Sequence, residues 1–302
     1  MSSSPYFERL SACKDEVVAV LKGKGVKDAQ LSFGGPAAEP KRKRSIISGE
    51  RSDFSVHRPV GDWAEHLIIE TVSRAFPNWR VVPYGDTYAG RPGNAEFNEL
   101  RKRQLLETKE YGKRPDFLVF PSGATFGGDL CAQPCEKTET IVKQAIAAVE
   151  VRSSKLDALK YIGARKAQRD AGKKVSRDAP SFTVKVEDLV IVYRWIERYG
   201  IPESYFQVFL DSVFAINFLE IFTLIASGEN YKLDKHERSQ GKPTIMIPIT
   251  RGYEIVHSIK QPTISAKYHV TDMGRYEAYL IPEGGEFALN TDVTKNVLLG
   301  ES

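Results

Sequence analysis

Asp116 and Glu150 are the residues whose types and surroundings most demand a chemical explanation. Each stands in a short, mostly apolar stretch, over 114–120 and 148–154. A buried charge is costly unless something pairs with it, and two carboxylates on neighbouring strands repel each other unless a cation lies between them. A hard divalent ion with oxygen ligands, Mg2+ above all, answers both problems. It suits hydrolysis of a phosphodiester by an activated water. The plainer alternative makes Asp116 and Glu150 members of structural ion pairs.

In a strand, residues two apart share a face. Glu150 and Arg152 therefore project together, with Ser154 behind them. Pro115 cannot donate to a sheet ladder, which suits the first position of a strand and sets Asp116 at its mouth. If the two strands are neighbours, Asp116, Glu150 and the backbone carbonyl of Val151 form an oxygen donor set, and water completes the shell. A nearby cation would offset charge growing on the phosphate.

The elements that must hold these groups can be read from periodicity. Residues 5–22 have an amphipathic helical pattern, and 23–50 read as a Gly/Pro/basic linker. A helix is expected over 62–76, with Asp62 as N-cap and Glu65 closing a capping box. A strand at 79–84, a loop at 85–94 and a charged helix at 95–110 follow. Strands are expected at 116–120 and 145–153, around a loop at 121–135. Residues 154–169 read as a basic helix, 184–196 and 205–210 as strands, and 211–226 as a strongly apolar helix. A polar loop at 229–242 precedes strands at 245–249, 266–270 and 276–281. This mixture argues for an α/β core with a central mixed sheet. It divides as an N-terminal helix and basic arm (1–58), a core (59–228) and a β-rich C-terminal region (229–302) serving DNA recognition or dimerisation.

The 302 residues are 41% hydrophobic and 27% charged, with a net charge of +4. That balance permits a nucleic-acid partner without requiring one. Local charge is more specific. Lys41, Arg42, Lys43 and Arg44 form a compact basic block, and 101–103 and 173–174 add two more. Together with a candidate metal site they point to a phosphate backbone. No leader-like apolar stretch opens the chain and no run reaches membrane-spanning length. The sparse cysteines, Cys13, Cys131 and Cys135, fit a reducing cytoplasm. The five histidines lack ligand spacing, so zinc is not expected. No Walker loop or dinucleotide-binding glycine motif is present.

Pro115-Asp116 and Glu150-Val151-Arg152 resemble the core motif of the PD-(D/E)XK nuclease superfamily. The resemblance implies Mg2+ bound through Asp116, Glu150 and the Val151 carbonyl, and a restriction-endonuclease-like fold. Many members carry a further glutamate on the helix before the first core strand. Glu65 is the candidate, then Glu70; equally, Glu65 reads as a charge complementing a helix N-terminus. The motif's lysine is replaced by Arg152, which stays protonated and cannot act as a base. Arg152 is favoured on strand parity, and Lys155 is the alternative.

Within the superfamily the chain is similar to type II restriction endonucleases. The 205–214 segment resembles their late core strand and helix, and 150–154 resembles the AccI-like group. The resemblance covers about residues 60–226. It implies a homodimer cutting double-stranded DNA at a short palindrome, leaving 5′-phosphate ends, beside a cognate DNA methyltransferase. Polar segments at 232–242, with His236, Glu237, Arg238 and Gln240, and at 86–98 have the groups to read bases, though either also reads as a plain surface loop. The other readings are a repair or junction-resolving nuclease and a DNA-binding protein with a dead core.

Overall fold

The computed structural model describes residues 4–33, 53–85, 95–235, 242–270, 274 and 276–301. In chain order the elements are α1 (Pro5–Gly23), α2 (Asp53–Ala75), β1 (Trp79–Pro83), α3 (Ala95–Tyr111), β2 (Phe117–Pro121), α4 (Cys135–Val142), β3 (Ala147–Ser153), α5 (Ala158–Asp170), β4 (Ser181–Lys185), α6 (Val186–Tyr199), β5 (Glu203–Val208), β6 (Val213–Asn217) and α7 (Phe218–Ala226). Then come β7 (Lys232–Asp234), β8 (Thr244–Pro248), β9 (Tyr253–Glu254), β10 (Val256–Lys260), β11 (Thr263–Val270), β12 (Tyr276–Glu283), β13 (Glu286–Leu289) and α8 (Thr291–Leu299).

A six-stranded mixed sheet runs in the order β1-β2-β3-β5-β6-β9. Its pairs are antiparallel except β3 with β5, which is parallel. Side chains alternate between its faces. Phe117, Val149, Val151, Phe206 and Val208 pack with residues of α2 and α8. Leu118, Phe120, Ala148, Tyr205 and Ile216 pack with residues of α1, α6 and α7. Leu10, Val17 and Leu21 of α1 are fully buried, and Val26, Leu31 and Phe33 beyond it are nearly so. The 3-stranded sheet β4-β8-β7 and the ribbons β10-β13 and β11-β12 complete the strands.

Three expectations are corrected. First, α2 begins at Asp53, so Asp62 is no N-cap; its carboxylate accepts from Arg58 Nε at 3.3 Å inside the helix. Val60 is buried and carries the apolar stripe of Trp63, Ala64 and Leu67 one turn upstream, through Pro59. Second, 184–196 is not a strand. It is the end of β4 followed by α6, in which Val186, Leu189, Val190, Tyr193, Ile196 and Tyr199 follow helical spacing onto the core. Gly200, at φ 72°, closes α6 in the left-handed region.

Third, 211–226 is not one helix. Val213–Asn217 is β6, paired with β5 from Val208↔Val213 to Ser204↔Asn217. Asn217 then opens α7. Its side chain accepts from Leu219 N at 3.0 Å, while Glu220 accepts from Asn217 N at 3.1 Å. Asp211, in the turn before β6, reaches across to α5. It accepts from Ala158 N (2.7 Å), Leu159 N (2.9 Å) and Lys160 N (3.2 Å), satisfying three of the N–H groups a helix start leaves open. The helices α4 and α8 were not foreseen.

Candidate active site

The strand β2 is led in by Gly112 to Asp116, and Lys113, Arg114 and Asp116 of that leader are tied down. Lys113 N donates to Ile191 O of α6 at 3.0 Å. The buried Arg114 guanidinium donates to Glu107 Oε2 (3.0 Å), Gln133 O (2.7 Å), Leu130 O (3.3 Å) and Cys135 Sγ (3.1 Å). The Asp116 carbonyl accepts from Tyr84 N and Gly85 N, at 2.9 and 3.0 Å, joining the end of β1 to the start of β2.

The Asp116 side chain reaches across to β3, where its Oδ2 accepts from Val151 N at 2.6 Å. The β2–β3 ladder runs through Phe117↔Val149, so Asp116 takes over a donor that the ladder has left behind. A strand residue points its N–H and C=O to the same side. The Val151 carbonyl therefore also faces Asp116. On β3, Glu150 lies opposite Tyr205 and Arg152 opposite Gln207 of β5.

Glu150 is the hub. Its side chain is 3% exposed, and Oε1 pairs with both Lys113 Nζ and Arg152 NH2, the latter at 3.0 Å. Arg152 NH2 also lies 3.5 Å from Asp188 Oδ2 on α6. Among the described residues the other Glu150 oxygen, Oε2, has no hydrogen-bond partner. Burial opposes ionisation of Glu150, but the Lys113 and Arg152 charges more than offset it and hold its carboxyl below the ordinary value. Asp116 goes the other way. Burial, then the charges of Glu150 and Glu65, push its carboxyl well above the ordinary value against the pull of Lys113 and the Val151 N–H.

Glu65 belongs to this electrostatic cluster. It sits three turns into α2, beyond the reach of the helix N-terminus, whose field falls off within the first turn. The helix-terminus reading of Glu65 is therefore removed. Burial, Asp62 and Glu150 raise its carboxyl. Glu70 is exposed and pairs with His66 at 3.2 Å. Lys155 lies beyond the end of β3. The basic block Lys41, Arg42, Lys43 and Arg44, together with Arg238, His236, Glu237 and Gln240, lies outside the described residues, as does the 86–94 loop.

Sequence reasoning missed Lys113, Asp188 and Glu203. Lys113 was within sight, two residues before Pro115. Asp188 was hidden by reading α6 as a strand. Glu203, fully buried at the start of β5, has no hydrogen-bond partner for either oxygen among the described residues. Burial, then Glu150, raise its carboxyl well above the ordinary value. Folded Glu203 thus keeps its proton where the unfolded chain has lost it. Its contribution to stability is present below the ordinary carboxylate range and declines as pH rises through it toward the raised folded value. Glu203→Gln keeps the shape without the ionisation. Urea unfolding from pH 4 to 8 is expected to show a variant gaining on the wild type as pH rises; parallel curves would contradict this.

Could these residues hold a metal? Among the described residues, no cluster of three or more His, Cys, Asp or Glu side chains is placed to do so. The donors that fit are two carboxylates and a backbone oxygen: Asp116, the orphaned Oε2 of Glu150 and the Val151 carbonyl. The charges fit as well. Burial and neighbouring carboxylates raise both Asp116 and Glu65, the response expected where acidic groups crowd a site short of cations.

The chain matches the family described as AccI restriction endonuclease over residues 29–173 and 164–302. It belongs to the AccI restriction endonuclease family. The match reaches well past 60–226, taking in the C-terminal strands and α8. Restriction endonucleases are DNA nucleases, and the family places this chain among them. No curated protein matches the chain. A solved structure of a nuclease from a fusselovirus is similar at 12% identity and a TM-score of 0.31, covering 65% of this chain and 87% of the viral one. No described helix of this AccI family member is long and apolar enough to cross a membrane.

Proposed function

We propose that this AccI family member is a type II site-specific deoxyribonuclease that hydrolyses double-stranded DNA with Mg2+ at Asp116, Glu150 and the Val151 carbonyl. The observation that carries the reading is the joining of Asp116 to the β3 backbone at Val151, beside a Glu150 that keeps one buried oxygen unspent. Bound there, Mg2+ supplies Lewis-acid activation of water and neutralises phosphate charge. The chain's own groups do the rest. Asp116 and Glu150 hold the charge excess, Glu65 adds to it from α2, and Lys113 and Arg152 keep Glu150 ionised. A homodimer reading a palindrome, with a cognate methyltransferase encoded nearby, completes the proposal. The lysine-to-Arg152 change favours a second reading, a core that binds DNA without cutting it.

Purified protein incubated with unmethylated phage DNA, in Mg2+ or EDTA, tests this. Discrete Mg2+-dependent bands, absent with Asp116→Ala, are expected. Smearing would favour a nuclease without sequence choice. Intact DNA with a retained gel shift would favour the dead core.

A further inference from the structure

We propose that Lys113, rather than Arg152 or Lys155, is the cation that contacts the scissile phosphate. The inference rests on the nuclease reading above and assigns a residue of that site. Three observations carry it. The first is access: the Lys113 side chain is 27% exposed while its ammonium touches Glu150, so it reaches the surface, as the 38% exposed Arg152 side chain also does. The second is donor supply. An ammonium has three donors, and Glu150 Oε1 takes one. The third is what the rivals are doing. Arg152 NH2 is shared between Glu150 at 3.0 Å and Asp188 at 3.5 Å, and Arg152 Nε is buried without a hydrogen-bond partner among the described residues. Its guanidinium is thus held between two carboxylates. Lys155 comes after β3 has ended, where strand geometry no longer sets its direction.

The leader geometry gives Lys113 a fixed origin. Its own N–H is bonded to Ile191 O, and Arg114 and Asp116 are anchored on either side of Pro115. A flexible stem on a fixed backbone can deliver a point charge while the pair with Glu150 limits its travel. Arginine would keep that ion pair but present a larger, planar fork.

The test compares Lys113→Met, Lys113→Arg and Lys155→Met with wild type. The readouts are single-turnover DNA cleavage in Mg2+, gel shift in Ca2+, and melting temperature. Lys113→Met is expected to lose at least 100-fold in cleavage while still shifting DNA. Lys113→Arg is expected to melt like wild type yet cut at least tenfold more slowly. Lys155→Met is expected to stay within threefold. Full activity in Lys113→Arg would reduce Lys113 to a structural partner of Glu150 and overturn the proposal, and this arm decides the matter if Lys113→Met does not fold. A Lys155→Met loss equal to that of Lys113→Met would also overturn it. Absence of cleavage by wild type would sink the nuclease reading, and this assignment with it, and is read in a separate lane.

Discussion

Glu150→Gln and Asp116→Asn are expected to lose cleavage alike, by about 10³-fold or more, and to move stability in opposite directions. Glu150 is the shared counter-charge of Lys113 and Arg152. Neutralising it leaves two cations facing each other in a largely buried setting. Breaking a buried pair costs roughly 3–5 kcal/mol, and the partial exposure of both cations lowers that to about 1–3 kcal/mol. Asp116 is the reverse case. Its carboxyl is already pushed up by burial and by Glu150, so removing its charge relieves a repulsion. The Asn side-chain oxygen can still accept from Val151 N–H. Asp116→Asn should therefore be as stable as wild type or more so near neutral pH. Urea unfolding beside single-turnover cleavage checks both halves. Cleavage within tenfold of wild type in either variant would remove that carboxylate from the site.

Gly112→Ala is expected to be among the most damaging small substitutions at the described residues. A Cβ there would lie 2.4 Å from Trp195 N, 2.5 Å from Ile191 O and 2.8 Å from Trp195 Cα, all backbone atoms of α6. The residue also sits at φ +89°, where a side chain costs about 1–2 kcal/mol. Helix backbone cannot yield as a side-chain tip does, so the leader or α6 must shift. The total is on the order of 3–5 kcal/mol. Folded molecules that remain should cut slowly, because the bond from Lys113 N to Ile191 O goes with the displacement. A loss below about 1 kcal/mol in urea unfolding would show that the leader can move freely off α6.

The motif strands were legible because two signals agreed there. Apolar runs with β-branched residues flanked the carboxylates, and Pro115 marked a strand entrance. Both α6 and the 211–226 segment misled for one physical reason: an all-apolar run fits a buried strand or a buried helix equally well. Val190 to Tyr193 has strand-like composition, yet the wider spacing from Val186 to Tyr199 is helical. In 211–226 the break is set by Asn217, a polar residue whose capping role is visible only once Glu220 is counted with it. The site was half legible. Glu150 and Arg152 follow from strand parity, and Asp116 from the proline that precedes it. The pairing of Lys113 with Glu150 depends on how the leader crosses α6, and no periodicity encodes that.

Helix α6 holds the backbone of Lys113 through Ile191 O and the guanidinium of Arg152 through Asp188. Lys113 comes from the leader and Arg152 from β3, but both contact the same helix. Their contacts on that helix, Ile191 and Asp188, lie about one turn apart. Anything that tilts α6, whether DNA against its exposed face or a substitution at its far end, moves both charges together. The electrostatic balance at Glu150 can then be retuned from a distance without changing any residue that touches it.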